Sequence, residues 1–191
     1  CATRKTRRKP QMPVFILCGP DRTGQIVREP VFCDFPLQLG RSYYLGVAFQ
    51  PATADRSGTV TFYVKDLANE DEPLLTTSAP HPVTALTPPL GPLYIGASNG
   101  KAESLWDGLI DEVRVTRGFL TESEIALRRP DITDRTLACW QFEPGSFRED
   151  AVSGRGTIRL PQQPVTAAPA QQALTDLCHA LLSSSGLLYV E

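Results

Sequence analysis

The two histidines of the chain are the first residues to consider for chemistry, because imidazole serves both as a general base and as a metal ligand. His81 lies between two prolines, and His179 follows Cys178 near the C-terminus. A haem-attachment motif needs a cysteine where Thr175 stands. The sequence also offers few partners for a histidine-based zinc site or a Ser-His-Asp triad. We therefore expect both histidines to be structural or surface residues.

The cysteines leave the redox state open, because there are five of them and no Cys-x-x-Cys pair. They are Cys1, Cys18, Cys33, Cys139 and Cys178. Cys18 and Cys33 belong to two adjacent predicted strands, so a disulfide between them is feasible and would stabilise the fold by about 3 kcal/mol. The alternative is that Cys18, Cys139 and Cys178 are small buried apolar residues, as free cysteines usually are. Sequence alone does not show whether the two Cβ atoms meet.

Length and composition predict one β-rich domain with an appendage. A chain of 191 residues can bury a sizeable core, and its 14 glycines and 17 prolines divide it into short segments. The net charge of −2 gives no general attraction to nucleic acid, and no apolar run is long enough to span a bilayer. The basic run 4–9 is typical of a solvated lead-in, with a polyanion contact as the alternative. Because the chain begins at Cys1 without a signal segment, we expect a piece of a longer polypeptide.

Short apolar runs bounded by turn residues predict the strands. These runs are 14–17, 31–35, 43–49, 59–64 and 137–142. Within 59–64, Val60, Phe62 and Val64 alternate with polar or mixed residues, which predicts one buried face. The proline-rich stretch 80–92 predicts an extended connection instead of a central strand.

The segment 106–115 predicts a further strand with an irregularity. Its apolar residues do not share one period-2 face, which predicts a β-bulge at Asp111 and Glu112. Thr121 and Glu124 then form a Thr-x-x-Glu capping box, which is typical of the start of a helical turn.

Four segments of the chain resemble, in the same order, motifs of the laminin G-like, concanavalin A-like jelly-roll domains. They are the segments 43–49, 58–66, 93–97 and 106–115, the last followed by 120–125. The strand and loop at 137–156 resemble a further motif of these domains. The sequence departs from the pattern where Tyr44-Leu45 replaces Trp-His and Asp66-Leu67 replaces Asn-Gly. The resemblance implies an all-β, two-layer antiparallel jelly-roll sandwich, with residues 93–97 as one of its strands.

The predicted organisation has four parts. They are a flexible basic lead-in at 1–12, the jelly roll at 13–160, a linker at 161–170 and a helical tail at 171–191. The tail predicts a short C-terminal amphipathic helix that needs a docking partner. It also resembles the extreme C-terminus of large multidomain planctomycete proteins that contain a cytochrome-c-like domain.

The resemblance also implies the candidate site chemistry. Related jelly rolls bind calcium through loop oxygens, and the candidate ligands here are Asp66, Asn99, Asp107 and Asp111. The alternative is that these side chains serve turns and the bulge. Glucanases of this fold need two carboxylates across a sugar bond, but their Glu-x-Asp-x-Glu strand motif is absent, and 70–72 is typical of a solvated loop. We therefore expect no enzyme.

The leading functional hypothesis is a non-catalytic carbohydrate-binding or adhesion-type module of a larger extracytoplasmic bacterial protein, secreted or periplasmic. The candidate sugar-stacking residues are Tyr43, Tyr63, Tyr94 and Trp106. The runner-up is a structural module that packs against neighbouring domains of the parent chain, and a glycoside hydrolase-like enzyme comes third. Exposed aromatic residues on one sheet would favour carbohydrate binding, and a sheet covered by its own loops or tail would favour packing.

Overall fold

The computed structural model describes residues 11–69, 71–88, 93–96, 106, 108–119, 125, 132–144 and 151–152. This part of the chain contains seven strands and no helix. The strands are β1 (Val14–Pro20), β2 (Ile26–Phe32), β3 (Tyr43–Gln50), β4 (Gly58–Asp66), β5 (Leu75–His81), β6 (Val113–Thr116) and β7 (Thr136–Trp140). All the strand pairs are antiparallel, which confirms the predicted all-β, antiparallel character for these residues. No helix in the described ranges is long and apolar enough to cross a bilayer.

The chain divides into two compact units, Cys1–Leu93 with Phe119–Pro130 and Tyr94–Gly118 with Asp131–Glu191. The first unit contains the hairpin β1-β2 and the three-stranded sheet β3-β4-β5. In this sheet each strand pairs with its sequence neighbour, because short connections allow antiparallel strands to fold back directly.

The core of the first unit joins the hairpin to the sheet. Its buried residues come from β1, β2, β4 and the segments that follow β2 and β5. They are Leu17, Val31, Cys33, Val60, Phe62, Val64 and Val83. The three residues of β4 occupy alternate positions of one strand face, as the sequence pattern predicts. Burying a side chain of this size stabilises the fold by about 1.5–3 kcal/mol.

A rigid turn connects β1 to β2. The Asp21 N–H donates to the Gln25 carbonyl (2.9 Å) and the Gly24 N–H donates to the Asp21 carbonyl (3.0 Å). Gly24 has φ +82°, a conformation that favours glycine. The Asp21 Oδ1 accepts from the Thr23 N–H (2.8 Å), the Thr23 hydroxyl (2.6 Å) and the Gln25 N–H (3.1 Å). These bonds, led by that from the Thr23 hydroxyl, lower the pKa of Asp21.

Residues 82–88, which we call the return segment, run beside β1 after β5 ends. The Thr84 N–H donates to the Pro20 carbonyl and the Thr87 N–H donates to the Cys18 carbonyl, both at 2.8 Å. Gly19 permits this approach, because a Cβ there would lie 1.9 Å from the Ala85 carbonyl oxygen. Of the extended connection predicted at 80–92, residues 82–88 form no strand, whereas Pro80 and His81 belong to β5 and residues 89–92 lie outside the described residues.

In the second unit, β6 pairs with β7. Val113 lies opposite Trp140 and Val115 lies opposite Ala138, but Thr116 lies opposite Thr136. The register shift therefore occurs between Val115 and Thr116, where β7 carries one extra residue. The prediction of a bulge at Asp111 and Glu112 is wrong, because both residues precede β6.

Two further strand predictions need correction. The second strand begins at Ile26, not at Val31, because Pro30 is accommodated inside the β1-β2 ladder opposite Ile16. Residues 93–96 form a bend and not the strand that the family resemblance implies. The lead-in before residue 11, the capping box at 121–124, the linker and the C-terminal helix lie outside the described residues.

Candidate functional site

The three-stranded sheet presents one face to the core and one face away from it. Along β4, the even-numbered residues are buried and the odd-numbered residues are half-buried. Cross-strand partners share a face in an antiparallel sheet, so the register defines the second face, which we call the outer face. Its members are Tyr44, Gly46, Ala48 and Gln50 of β3, Thr59, Thr61, Tyr63 and Lys65 of β4, and Thr76, Ser78 and Pro80 of β5.

Two tyrosines converge at Gly46 on the outer face. Gly46 lies opposite Tyr63 in the register. A Cβ at Gly46 would lie 3.2 Å from the Tyr44 hydroxyl oxygen and 3.3 Å from the Tyr63 Cβ. The Tyr44 side chain therefore lies over the glycine and beside Tyr63. The small Gly46 is what leaves room for both aromatic side chains.

Hydroxyl groups adjoin these tyrosines. Thr61 Oγ1 and Ser78 Oγ lie 2.9 Å apart across β4 and β5, and Thr76 lies opposite Tyr63. At the far end of the face, the Lys65 ammonium donates to the Glu72 carbonyl (2.8 Å), which fixes the position of this cation. The outer face thus combines aromatic surface with groups that both donate and accept hydrogen bonds.

Tyr43 and Tyr63, two of the predicted sugar-binding residues, lie on opposite faces of the sheet. Tyr43 lies opposite Asp66 and packs against the core cluster, and its hydroxyl accepts from the Gln38 N–H (3.1 Å). The residue that sequence reasoning missed is Tyr44. The alternation of Tyr43, Leu45, Val47 and Phe49 along β3 is the signal that places its even-numbered residues on the other face.

Tyr94 and Trp106, the other two predicted sugar-binding residues, lie in the second unit. Their side chains are 46% and 55% exposed. The Trp106 N–H donates to the Gly96 carbonyl (2.7 Å), which holds these two stretches together. A Cβ on Gly108 would lie 2.8 Å from the Trp106 Nε1, so the indole lies against this glycine. Tyr94 and Trp106 thus form a second exposed aromatic region, separate in sequence from the outer face.

Of the four predicted calcium ligands, only Asp66 and Asp111 lie among the described residues. The Asp66 carboxylate accepts from the Arg41 guanidinium and from the Ala68 N–H (2.9 Å). The Arg41 hydrogen bond is the main cause of the lowered pKa of Asp66. Asp66 therefore does not fit a calcium ligand, because a cation would have to displace Arg41. Asp111 is exposed, and Asn99 and Asp107 lie outside the described residues.

Elsewhere in the described ranges, no group of three or more His, Cys, Asp or Glu side chains is placed to hold a metal ion. Calcium binding by the remaining loop oxygens stays a prediction.

The predicted disulfide between Cys18 and Cys33 is absent from the structure. Both thiols are free, with Cys18 exposed and Cys33 buried. Cys18 lies opposite Arg28, whereas the Cys33 N–H donates to the Pro13 carbonyl. Five residues of β1 thus separate the two positions along the ladder, or roughly 17 Å at the rise of an antiparallel strand. A disulfide needs Cα atoms within about 7 Å.

His81 is buried at the end of β5 with both ring nitrogens engaged. The Val83 N–H donates to Nδ1 (3.1 Å), so Nε2 carries the proton and donates to the Gln50 carbonyl (3.1 Å). The ring stacks on Phe49, with centroids 5.1 Å apart. Burial is the main cause of the lowered pKa of His81. These contacts give His81 a structural role, as the sequence predicts.

The comparison with protein families matches the middle of the chain. Residues 52–126 match a family model of the concanavalin A-like lectin/glucanases superfamily. The match includes three of the four motifs that carry the resemblance, and the motif at 43–49 precedes it. The name of this superfamily covers both lectins, which bind sugars, and glucanases, which hydrolyse them. The comparisons with curated proteins and with solved structures gave no match. The resemblance of the C-terminal tail stays a prediction.

Proposed function

We propose that the chain is a non-catalytic carbohydrate-binding module whose sugar ligand lies on the outer face. The observation that carries the proposal is the convergence of Tyr44 and Tyr63 at Gly46, next to the hydroxyl pair of Thr61 and Ser78. The superfamily match over residues 52–126 supports a carbohydrate as the ligand.

The chemistry of this face suits a sugar. The C–H face of a pyranose ring packs on an aromatic side chain, and its hydroxyl groups exchange hydrogen bonds with threonine and serine. None of the outer-face residues is a carboxylate. Glycoside hydrolysis requires a pair of carboxyl groups beside the scissile bond, so this surface is suited to holding a glycan and not to cleaving it.

The proposal extends to the setting of the module. We place it in a larger extracytoplasmic bacterial protein, where a module of this kind would keep the parent chain at a polysaccharide. This setting rests on the family resemblance. A direct check is the parent sequence, in which a secretory signal and further domains are expected.

The test is retention of the whole chain on a panel of immobilised polysaccharides, with and without calcium. We expect retention by at least one glycan class and at least a tenfold loss of affinity in Tyr63→Ala and Tyr44→Ala. Tyr94→Ala, which removes an exposed tyrosine from the second unit, is the matched control and should bind as the wild type does. Thermal melting of each variant separates lost binding from lost folding.

Two results would contradict the proposal. Loss of binding in Tyr94→Ala or Trp106→Ala alone would move the site to the second unit. Retention by no polysaccharide under either condition would favour the alternative, a module that packs against neighbouring domains.

One observation favours that second function. Leu45 and Val47 lie on the core-facing side of β3, yet they are 44% and 46% exposed. If packing is the function, serine substitutions at both positions should weaken association with the rest of the parent chain. If packing is not the function, the same substitutions should leave polysaccharide retention unchanged.

A further inference from the structure

A shallow cavity lies at the end of β5, beside the turn between β1 and β2. Its volume is about 340 Å3, near the lower end of the usual range for ligand pockets of ~300–1,000 Å3. The residues that line it are Asp21, Arg22, Thr23, Ser57, Pro80, His81 and Pro82. Pro80 is the one lining residue that also belongs to the outer face, so the cavity adjoins that surface at one end of β5.

The walls of the cavity are held in place before any ligand binds. Three hydrogen bonds to the Asp21 Oδ1 fix the turn that carries Arg22 and Thr23. On the other side, His81 is fixed by the Gln50 carbonyl and the Val83 N–H, and a proline flanks it on each side. A preformed site binds more tightly than a flexible one, because less conformational freedom is lost on binding.

The polar groups of the cavity include a matched acceptor and donor. The hydrogen bonds from Thr23 and Gln25 go to the Asp21 Oδ1, and Oδ2 can accept a hydrogen bond from a ligand. Arg22 is exposed and, among the described residues, forms no ion pair. The Ser57 hydroxyl can both donate and accept. Pro80 and Pro82 add apolar surface between these groups.

This combination selects the ligand by its charge. An anionic ligand that pairs with Arg22 meets the Asp21 carboxylate, and a cationic ligand that pairs with Asp21 meets the Arg22 guanidinium. A purely apolar ligand would leave both charged groups without partners. A neutral ring with hydroxyl groups on its rim and C–H groups on its faces satisfies the charged, hydroxyl and proline surfaces together.

We propose that this cavity binds one neutral sugar ring, as the terminal subsite of a glycan that lies along the outer face. The inference rests on the proposed function and adds a ligand class and a position to it. Arg22 and Asp21 hold the hydroxyl groups of this ring, and the two prolines pack against its C–H groups.

The test is an NMR titration of the whole chain with the methyl glycosides of glucose, galactose and mannose. Galacturonate and glucosamine serve as charged probes. At least one neutral glycoside should give saturable shifts at the amides of Thr23, Gly24 and Ser57, and should bind more tightly than either charged probe.

Arg22→Ala and Asp21→Asn should weaken the binding of this glycoside about tenfold, as expected for a lost hydrogen bond to a charged group. Asp21→Asn also needs a melting curve, since Asp21 shapes the turn. Arg28→Ala, which removes an exposed arginine outside the cavity, should change nothing.

The result that overturns the inference is distinct from the one that overturns the proposed function. Absent shifts at the cavity, binding that is unchanged in Arg22→Ala, or tighter binding of a charged probe would each reject the neutral-sugar subsite. Polysaccharide retention that still depends on Tyr63 would leave the outer face in place. Retention that survives Tyr63→Ala and Tyr44→Ala would reject the outer face as the site, and with it the subsite.

Discussion

Protonation of the His81 imidazole makes the stability of the fold depend on pH. The Val83 N–H occupies Nδ1, so a proton there would replace an attractive contact by a repulsion between two donors. Burial lowers the pKa of His81 below the value near 6.5 of an unfolded chain. The folded state therefore binds this proton less readily than the unfolded state does. Its contribution to stability is complete above about pH 6.5 and is lost as the pH falls towards the lower pKa of the folded state.

We expect the free energy of unfolding to decrease as the pH falls below about 6.5, as measured by urea denaturation at a series of pH values. His81→Gln, which cannot titrate, should be less stable at neutral pH and should show a flatter pH dependence in this range. An unchanged slope in the variant would assign the effect to other groups.

Gly58 is required by the close packing around His81. A Cβ at Gly58 would lie 2.3 Å from the His81 Cε1 and 2.6 Å from both the Ala52 nitrogen and the Gln50 oxygen. Two of these atoms belong to the backbone and cannot move aside. Gly58→Ala should therefore destabilise the fold by about 1–3 kcal/mol, measured by thermal or chemical denaturation.

Gly46→Ala is the matched control, because its nearest neighbours are tyrosine side-chain atoms at 3.2–3.3 Å, which can shift slightly. It should cost less stability than Gly58→Ala and should instead weaken glycan binding at the outer face. Equal losses of stability in both variants would contradict this account.

The connection between β4 and β5 depends on the Asp66 carboxylate. It links the turn after β4 to Arg41, which precedes β3, and accepts from the Ala68 N–H. These hydrogen bonds lower the pKa of Asp66, so the stabilisation is present above the ordinary pKa near 3.8 and is lost as the pH falls through the lower folded value. Asp66→Asn should lower the melting temperature at neutral pH, and its difference from the wild type should shrink below about pH 4.

Asp55→Asn, which changes an exposed acid between β3 and β4, provides the comparison. It should melt like the wild type at every pH. A difference between wild type and Asp66→Asn that stays constant down to low pH would contradict the role of the ionised carboxylate.

The sequence predicted elements well where the alternation of side chains is strict. The bounds of β3 and β4 are within one or two residues of the predicted runs, because one face of β4 is fully buried. The predicted start of β2 was wrong because Arg28 and Glu29 are charged and Pro30 is rare inside a strand, although the register accommodates all three. β5 was missed because an edge strand needs little apolar character, and its residues are mainly Thr, Ser, Ala and Pro.

The candidate site was predicted in part. Tyr63 lies on the outer face as a binding residue should, but its aromatic neighbour on that face is Tyr44 and not Tyr43, as the alternation of apolar residues along β3 could have indicated. The cavity could not be predicted, because its lining comes from three segments separated in sequence: the β1-β2 turn, Ser57 and the end of β5. Only the folded chain brings these segments together.

At the scale of the whole molecule, the redox state of the cysteines bears on stability. The three described cysteines, Cys18, Cys33 and Cys139, form no disulfide. Cys33 and Cys139 are fully buried, Cys18 is exposed, and burial raises the pKa of the Cys33 thiol. In a Cys1→Ser, Cys178→Ser variant, we expect a thiol reagent to label Cys18 in the native protein and the other two only after unfolding. A reductant should leave the melting temperature of this variant unchanged. A melting temperature that falls on reduction would show a disulfide among these cysteines and contradict their description as free thiols.

The return segment implies an order of folding. Within β3-β4-β5 each strand pairs with its neighbour in sequence, whereas the Thr84 hydroxyl reaches the Pro20 carbonyl across a separation of 64 residues. Closing that long loop costs more chain entropy than forming either short connection. In pulse-labelled hydrogen exchange, the amides of β4 should become protected before those of Thr84 and Thr87. Simultaneous protection would contradict this order. The local meander would thus form first, and the N-terminal hairpin would be captured when residues 82–88 settle beside it.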